Sequence, residues 1–129
     1  AHVNNAVYFN YLEQARLHYI SHLGFQLEKP TDVGMIIAEA SCRYKSPLRL
    51  GEKITIFLRT SDLRRSSFTF KYRLEGEDGR LAATARTVQV CYDYATERVI
   101  PIPQKWRTIF TAYEPGLQST NPSNKGDSP

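Results

Sequence analysis

Cysteine is scarce in this chain: two in 129 residues, Cys42 and Cys91, with no Cys-x-x-Cys pair. A small secreted scaffold held by disulfides needs a far denser set, so both thiols read as reduced core residues inside apolar strand-like runs. Long hydrophobic runs are missing too. Stretches such as 34–38 fall well short of the roughly 20 apolar residues that a membrane span requires, and no charged-then-apolar leader opens the sequence. The expectation is a cytoplasmic protein without a membrane span. Charge of one sign is only mildly in excess, at +4 from 17 Lys+Arg against 13 Asp+Glu. That balance is compatible with an anionic ligand but too diffuse to indicate nucleic acid. There is no internal repeat, and the length leaves room for one compact domain.

What is present reads as one helix followed by sheet. Over 6–23, Tyr8, Leu12, Ala15, Tyr19 and Leu23 recur at spacings of three and four and share one helical face. Asn4 or Asn5 can cap the start, and Gly24 supplies the left-handed residue that ends it. After a loop containing Pro30 the period becomes two, with Ile36, Ala38, Ala40, Cys42 and Tyr44 predicted on one strand face and Glu39, Ser41 and Arg43 on the other. Alternation then predicts an antiparallel meander of strands at 54–62, 66–75 and 81–94. The polar loop 63–66 and the turn "EDGR" at 77–80, with its Asp-Gly pair, join them. A short helix is expected near Pro103, and 116–129, almost without apolar residues, is expected to be a disordered tail. The fold class is therefore α+β, with a long antiparallel sheet wrapped around one helix.

Three segments in this order, "HVNNAVYFNYLEQAR", "YKSPLRLGE" and "RRSSFTFKYRL", resemble the hotdog-fold acyl-CoA thioesterases of the 4-hydroxybenzoyl-CoA thioesterase branch. The first is fairly specific; the other two gain force from order and spacing. The resemblance covers roughly residues 2–113 and implies a single hotdog domain over 1–115. In that family a first strand precedes the motif, and an aspartate a few residues before the histidine acts as nucleophile or general base. This chain starts after both positions, so the resemblance leaves the catalytic carboxylate unassigned.

The resemblance implies that backbone amides at the helix start, best represented by Asn5, polarise the thioester carbonyl as negative charge develops on oxygen. Asn4 and His2 would orient the thioester or the attacking water; equally, both asparagines can simply cap and turn the chain. Glu13 is a backup carboxylate, though it can instead support the helix by pairing with Arg16. Tyr8 and Tyr11 can touch the acyl group or belong to the core. Arg64, Arg65, Ser66 and Ser67 carry the chemistry that grips phosphates, and in the family basic residues near this loop contact coenzyme A; a solvated basic loop is the plainer account. His18 and His22 have the i, i+4 spacing of a metal pair but lack a third ligand, so no metal is expected. The implied activity is hydrolysis of an acyl-CoA to free acid and coenzyme A, with no cofactor beyond the coenzyme A of the substrate. A non-catalytic acyl-CoA or acyl-carrier binding protein of the same fold is the alternative. A dehydratase is weaker, because no paired histidine and acid stand in the expected helical setting. Exposed sheet edges and the row Val88, Val90, Tyr92 and Tyr94 point to a homodimer, or a homotetramer built from it.

Overall fold

The computed structural model describes residues 5–25 and 33–117, the side chain of Asn5 excepted. His2, Asn4, the Pro30 loop and all but the first two residues of the expected tail lie outside them. Helix α1 spans Asn5–His22 and is followed by strand β1 (Val33–Tyr44), then β2 (Thr55–Leu63), β3 (Ser67–Glu75), β4 (Leu81–Asp93), the short β5 (Arg98–Val99) and helix α2 (Gln104–Tyr113). The strands form one antiparallel sheet in the order β1-β4-β3-β2, with β5 pairing to the end of β4. This is the hotdog architecture: α1 lies against one sheet face.

The helical stripe does what its spacing predicts. Tyr8, Leu12, Tyr19 and Ile20 are buried, and Ala15 and Leu23 are packed against the core. Gly24 ends α1 at φ +89°, a conformation that costs glycine little. Its amide donates to Ser21 O and that of Phe25 to Ile20 O, the paired bonds of a Schellman termination. Beneath the helix, Phe68, Phe70, Tyr72 and Leu74 of β3 are all essentially inaccessible. At about 1.5–3 kcal/mol for each fully buried large apolar side chain, this strand and the α1 stripe are the main source of cohesion.

Two sheet faces differ from simple alternation. The pairing of β1 with β4 shifts between Ile37 and Glu39, a β-bulge at Ala38. Past it, Met35 and Ile37 join Ala40, Cys42 and Tyr44 on the helix-side face, while Ile36 turns outward opposite Val90. The expected grouping of Ile36 and Ala38 with residues 40–44 is thereby corrected: one inserted residue reverses the face of everything before it. On β4 the apolar row Val88, Val90 and Tyr92 lies on the outer face, and the helix-side row runs Ala83, Ala85, Thr87, Gln89, Cys91. Gln89 and Thr87 are buried there, with Thr87 hydrogen-bonded to Tyr72 at 2.7 Å and Gln89 donating to Phe68 O at 3.1 Å. On the outer face, Gly34 is required because a Cβ there would sit 2.4 Å from the Tyr94 ring.

Candidate active site

The start of α1 is built from its first two turns and two loops. Asn5 is the first helical residue, and the first turn contains no acidic side chain. The leading amides of a helix have no intrahelical acceptor and carry the positive end of its dipole, so the site is suited to developing negative charge. Tyr8, one turn in, is buried. Its ring meets Tyr44 edge-on at 4.8 Å and Tyr11 at 6.3 Å. Burial pushes the Tyr8 phenol pKa up, opposed by a backbone hydrogen bond with Leu48, so Tyr8 stays a neutral hydroxyl. Cys42 stands beside Tyr44, and burial pushes its thiol pKa up as well, making it a poor nucleophile. These residues form an aromatic wall with Leu48, which is fully buried.

The wall is braced from the loops. Glu52 accepts from the Arg49 amide at 2.7 Å and the Glu77 amide at 3.0 Å, and from Arg80 at 2.9 Å. Arg80 also donates to Pro47 O at 3.0 Å and to both oxygens of Asp78. The backbone donors, followed by Arg80, hold the Glu52 carboxyl down at about 2. A carboxylate so fully engaged is a weak base; it ties the 47–52 turn to the β3–β4 hairpin and so sets the wall. The sequence reading missed this cluster. Its one visible signal is a Glu in "RLGE" and an Asp and Arg in "EDGR", which alternation alone does not bring together.

Of the anticipated site residues, Tyr8 and Tyr11 are at the helix start. His2, Asn4 and the Asn5 side chain lie outside the described residues. Glu13 is exposed eight residues along the helix, about 12 Å from its start at 1.5 Å per residue. Arg16 does not turn to it: its guanidinium goes under the helix to the Tyr72 hydroxyl at 3.4 Å. Arg64 and Arg65 are exposed on the β2–β3 loop, whereas Ser66 and Ser67 are buried. That loop is clamped from below. Arg107 donates to Arg64 O and, at 3.1 Å, to Arg65 O, and the Ile102 amide donates to Arg65 O at 2.8 Å. It sits beside Ser67, seven residues along β3 from Leu74. Ala83 pairs with both Leu74 and Tyr44, placing Leu74 at the level of the helix start. The two places are thus about 23 Å apart within one chain. His18 and His22 are exposed, with His22 edge-on to Tyr113 at 5.6 Å. Among the described residues no group of three or more His, Cys, Asp or Glu is arranged to hold a metal ion.

A helix start without acid, an aromatic wall and a clamped basic loop coincide with a family match: residues 1–110 fit the thioesterase-like superfamily. The chain belongs to that superfamily. Long-chain acyl-CoA thioesterase FadM of Escherichia coli is 26% identical over 108 residues, which is 82% of each chain. A thioesterase from Thermus thermophilus, solved with coenzyme A and Zn, superposes with a TM-score of 0.75 at 31% identity, covering 88% of this chain and 82% of that one. The chloroplastic acyl-acyl carrier protein thioesterase ATL3 of Arabidopsis thaliana is 28% identical over 86% of this chain and 60% of its own length. The protein is a hotdog-fold thioesterase, a hydrolase of thioesters. No helix among the described residues of this thioesterase is long and apolar enough to cross a membrane.

Proposed function

We propose that the protein hydrolyses an acyl-CoA at the start of α1. The carbonyl oxygen rests on the Asn5 amide, water adds to the carbonyl carbon, and the carbon–sulfur bond breaks to leave the free acid and the thiol of coenzyme A. The observation that carries this reading is the acid-free first turn of α1 beneath the Tyr8–Tyr44 wall, in a chain of thioesterase descent. Preorganised amides stabilise the oxyanion more than the ground-state carbonyl, which is what lowers the barrier. Asn4 and His2 orient the thioester or the water. No cofactor takes part besides the coenzyme A of the substrate, and the setting is cytoplasmic.

The working unit is a homodimer. Among the described residues β1 is hydrogen-bonded only to β4, which leaves one edge open there. Ile37 and Tyr44 on its helix-side face, and Phe9 and Leu17 on α1, are all more than two-fifths exposed. An open edge beside apolar surface favours pairing with a second copy. Pairing also supplies what one chain lacks, because the Arg64–Arg65 loop of the other protomer can then take the coenzyme A phosphates.

The test follows thiol release from acyl-CoA by Asn5→Pro and Asn5→Ala. Proline removes the amide donor while suiting a first helical turn; alanine keeps the donor. Loss of one oxyanion donor costs about 3 to 4 kcal/mol, a hundredfold or more in kcat, so Asn5→Pro should be nearly inactive with its circular dichroism intact, and Asn5→Ala should retain much of its rate. Parent-like turnover by folded Asn5→Pro would place the polarising group elsewhere. Tight acyl-CoA binding by the parent protein without thiol release would make it a binding protein.

A further inference from the structure

Beneath α1 lies a cation that the reaction at the helix start does not use. Phe9, Glu13, Arg16 and Ile20 follow one another at spacings of four, three and four and share one flank of the helix. The opposite flank overlies β2, because His18 and His22 line a concavity together with Ile54, Ile56 and Leu58. With β2 and β1 at opposite sides of the sheet, Arg16 stands on the side of β4 and β1. Its guanidinium donates to the Tyr72 hydroxyl at 3.4 Å, and that hydroxyl is bonded to Thr87 at 2.7 Å. Tyr72 and Thr87 are almost fully buried, whereas Arg16 is only half-buried and open to a ligand. Among the described residues Arg16 has no ion-pair partner.

Folding alone does not account for this placement. A long cationic side chain on a helix flank ordinarily keeps its head in water, and Glu13, three residues back, offers the local pair that steadies a surface helix. Arg16 reaches under the helix instead, where one long bond to a neutral phenol engages a single arm of its fork. The natural complement of the planar fork is a carboxylate, which takes two parallel N–H bonds from it. The approach to this cation is apolar. Ile37, Ala40 and Tyr44 of β1 and Phe9 of α1 are exposed beside it, and the small Ala83 and Ala85 of β4 keep the floor between them low. The row Tyr44–Ala83–Leu74 marks the level of the helix start; Tyr72 lies in the next helix-side row and Thr87 in the one after. At 3.3–3.4 Å per residue these rows are about 7 and 14 Å further along. A linear acyl group that runs along the trough from a carbonyl at the start of α1 brings its far end to Arg16.

We propose that Arg16 binds the free carboxylate at the far end of the acyl group, so that the substrate is the monothioester of a medium-length dicarboxylic acid. The inference rests on the thioesterase reading and names the acyl class for that same site. An acyl group ending in a methyl leaves the guanidinium without an anion at the end of an apolar trough, and a succinyl group is too short to reach it. A carboxylate of a second copy is the competing partner for the fork, and the test separates the two.

The experiment measures kcat/KM for octanoyl-CoA and for the coenzyme A monothioester of suberic acid, which match in carbon number and differ only at the far end. The parent should prefer the suberic thioester about tenfold or more. Arg16→Met, which keeps an unbranched stem without the charge, should lose that preference, and Arg16→Lys, which keeps the charge without the fork, should retain part of it. Between succinyl-CoA and butyryl-CoA the ratio should be the same in the parent and in Arg16→Met. No preference in the parent, or a preference that survives Arg16→Met, would overturn the carboxylate site, while hydrolysis of octanoyl-CoA would keep the thioesterase reading. Equal losses on both long substrates in folded Arg16→Met, with a dimer that dissociates by light scattering, would assign the guanidinium to a carboxylate of the second copy instead. If the parent releases thiol from none of the four, the thioesterase reading falls and the carboxylate site with it.

Discussion

The two ends of α1 are built on different physics. At its C-terminal end the helix runs into an aromatic cluster. Tyr19 meets Phe70 at 5.2 Å, Phe25 meets Trp106 at 5.2 Å and Phe110 at 5.1 Å, and Phe110 lies 5.0 Å from Phe68. Phe68, Phe70 and Phe110 are fully buried, and burial drives the Tyr19 phenol pKa up to about 12. At its N-terminal end the helix carries one buried tyrosine, Tyr8, and meets buried Leu48, a half-exposed strand face and loops held by charge-assisted hydrogen bonds. One end excludes water from a dense core; the other begins with backbone amides that have no intrahelical acceptor. If the proposed site is right, stability and reactivity draw on opposite ends of the same element, and substitutions at the two ends should fail in different assays.

The sharpest way to break that contrast is Phe110→Ala. Removing a fully buried ring linked to Phe25, Phe68 and Phe70 should cost about 3–5 kcal/mol in stability, read as a lower midpoint in urea unfolding. At a temperature where the variant is folded, turnover should stay near that of the parent. A large loss of kcat in folded Phe110→Ala would mean that the packed end controls the reactive end, and the division would be wrong.

Legibility in the sequence follows the same line. The packed end was readable, because spacings of three and four in α1 and the period of two in β3 are imposed directly by burial. Gly24 announced the helix end through its backbone freedom. The Ala38 bulge was not readable, since Ile36, Ala38 and Ala40 alternate perfectly on paper and only the pairing with β4 inserts the extra residue. The "HVNNAVYFNYLEQAR" resemblance drew attention to the helix start, while its walls were not readable: Tyr44 and Leu48 meet Tyr8, and Glu52 meets Arg80, only through long-range contacts. The same limit hid the row of cations Arg59, Lys71 and Arg86, which lie on three strands and face one another only through register.

A second, smaller test probes the open end. Tyr44 is 43% exposed and packs edge-on against Tyr8, so Tyr44→Ala forfeits an aromatic pair worth about 0.5–1.5 kcal/mol and little else in stability. If this wall touches the acyl group, the ratio of kcat/KM between long-chain and aromatic acyl-CoAs should move by about tenfold, the scale set by a change of 1–3 kcal/mol in pocket contact. An unchanged ratio across short, long and aromatic substrates would remove Tyr44 from the acyl site.

The smallest effect expected is the dependence of the open end on acid. Glu52 titrates at about 2 in the folded chain against an ordinary 4.5, because the Arg49 and Glu77 amides and Arg80 favour its ionised form. A depressed folded value means that the stabilisation is complete above the unfolded value and is lost as pH falls toward the folded one. Its window is therefore about pH 4.5 down to 2. Glu52→Gln lacks that titration, so the stability gap between parent and variant should be widest above pH 5 and close progressively toward pH 2. Phe110→Ala, whose loss is apolar, should run parallel to the parent over the same range. Urea midpoints measured at half-unit intervals separate the two behaviours. A constant gap for Glu52→Gln through this window would show that the Glu52–Arg80 cluster does not brace the turn carrying Leu48, and that the wall of the helix start is held by packing alone.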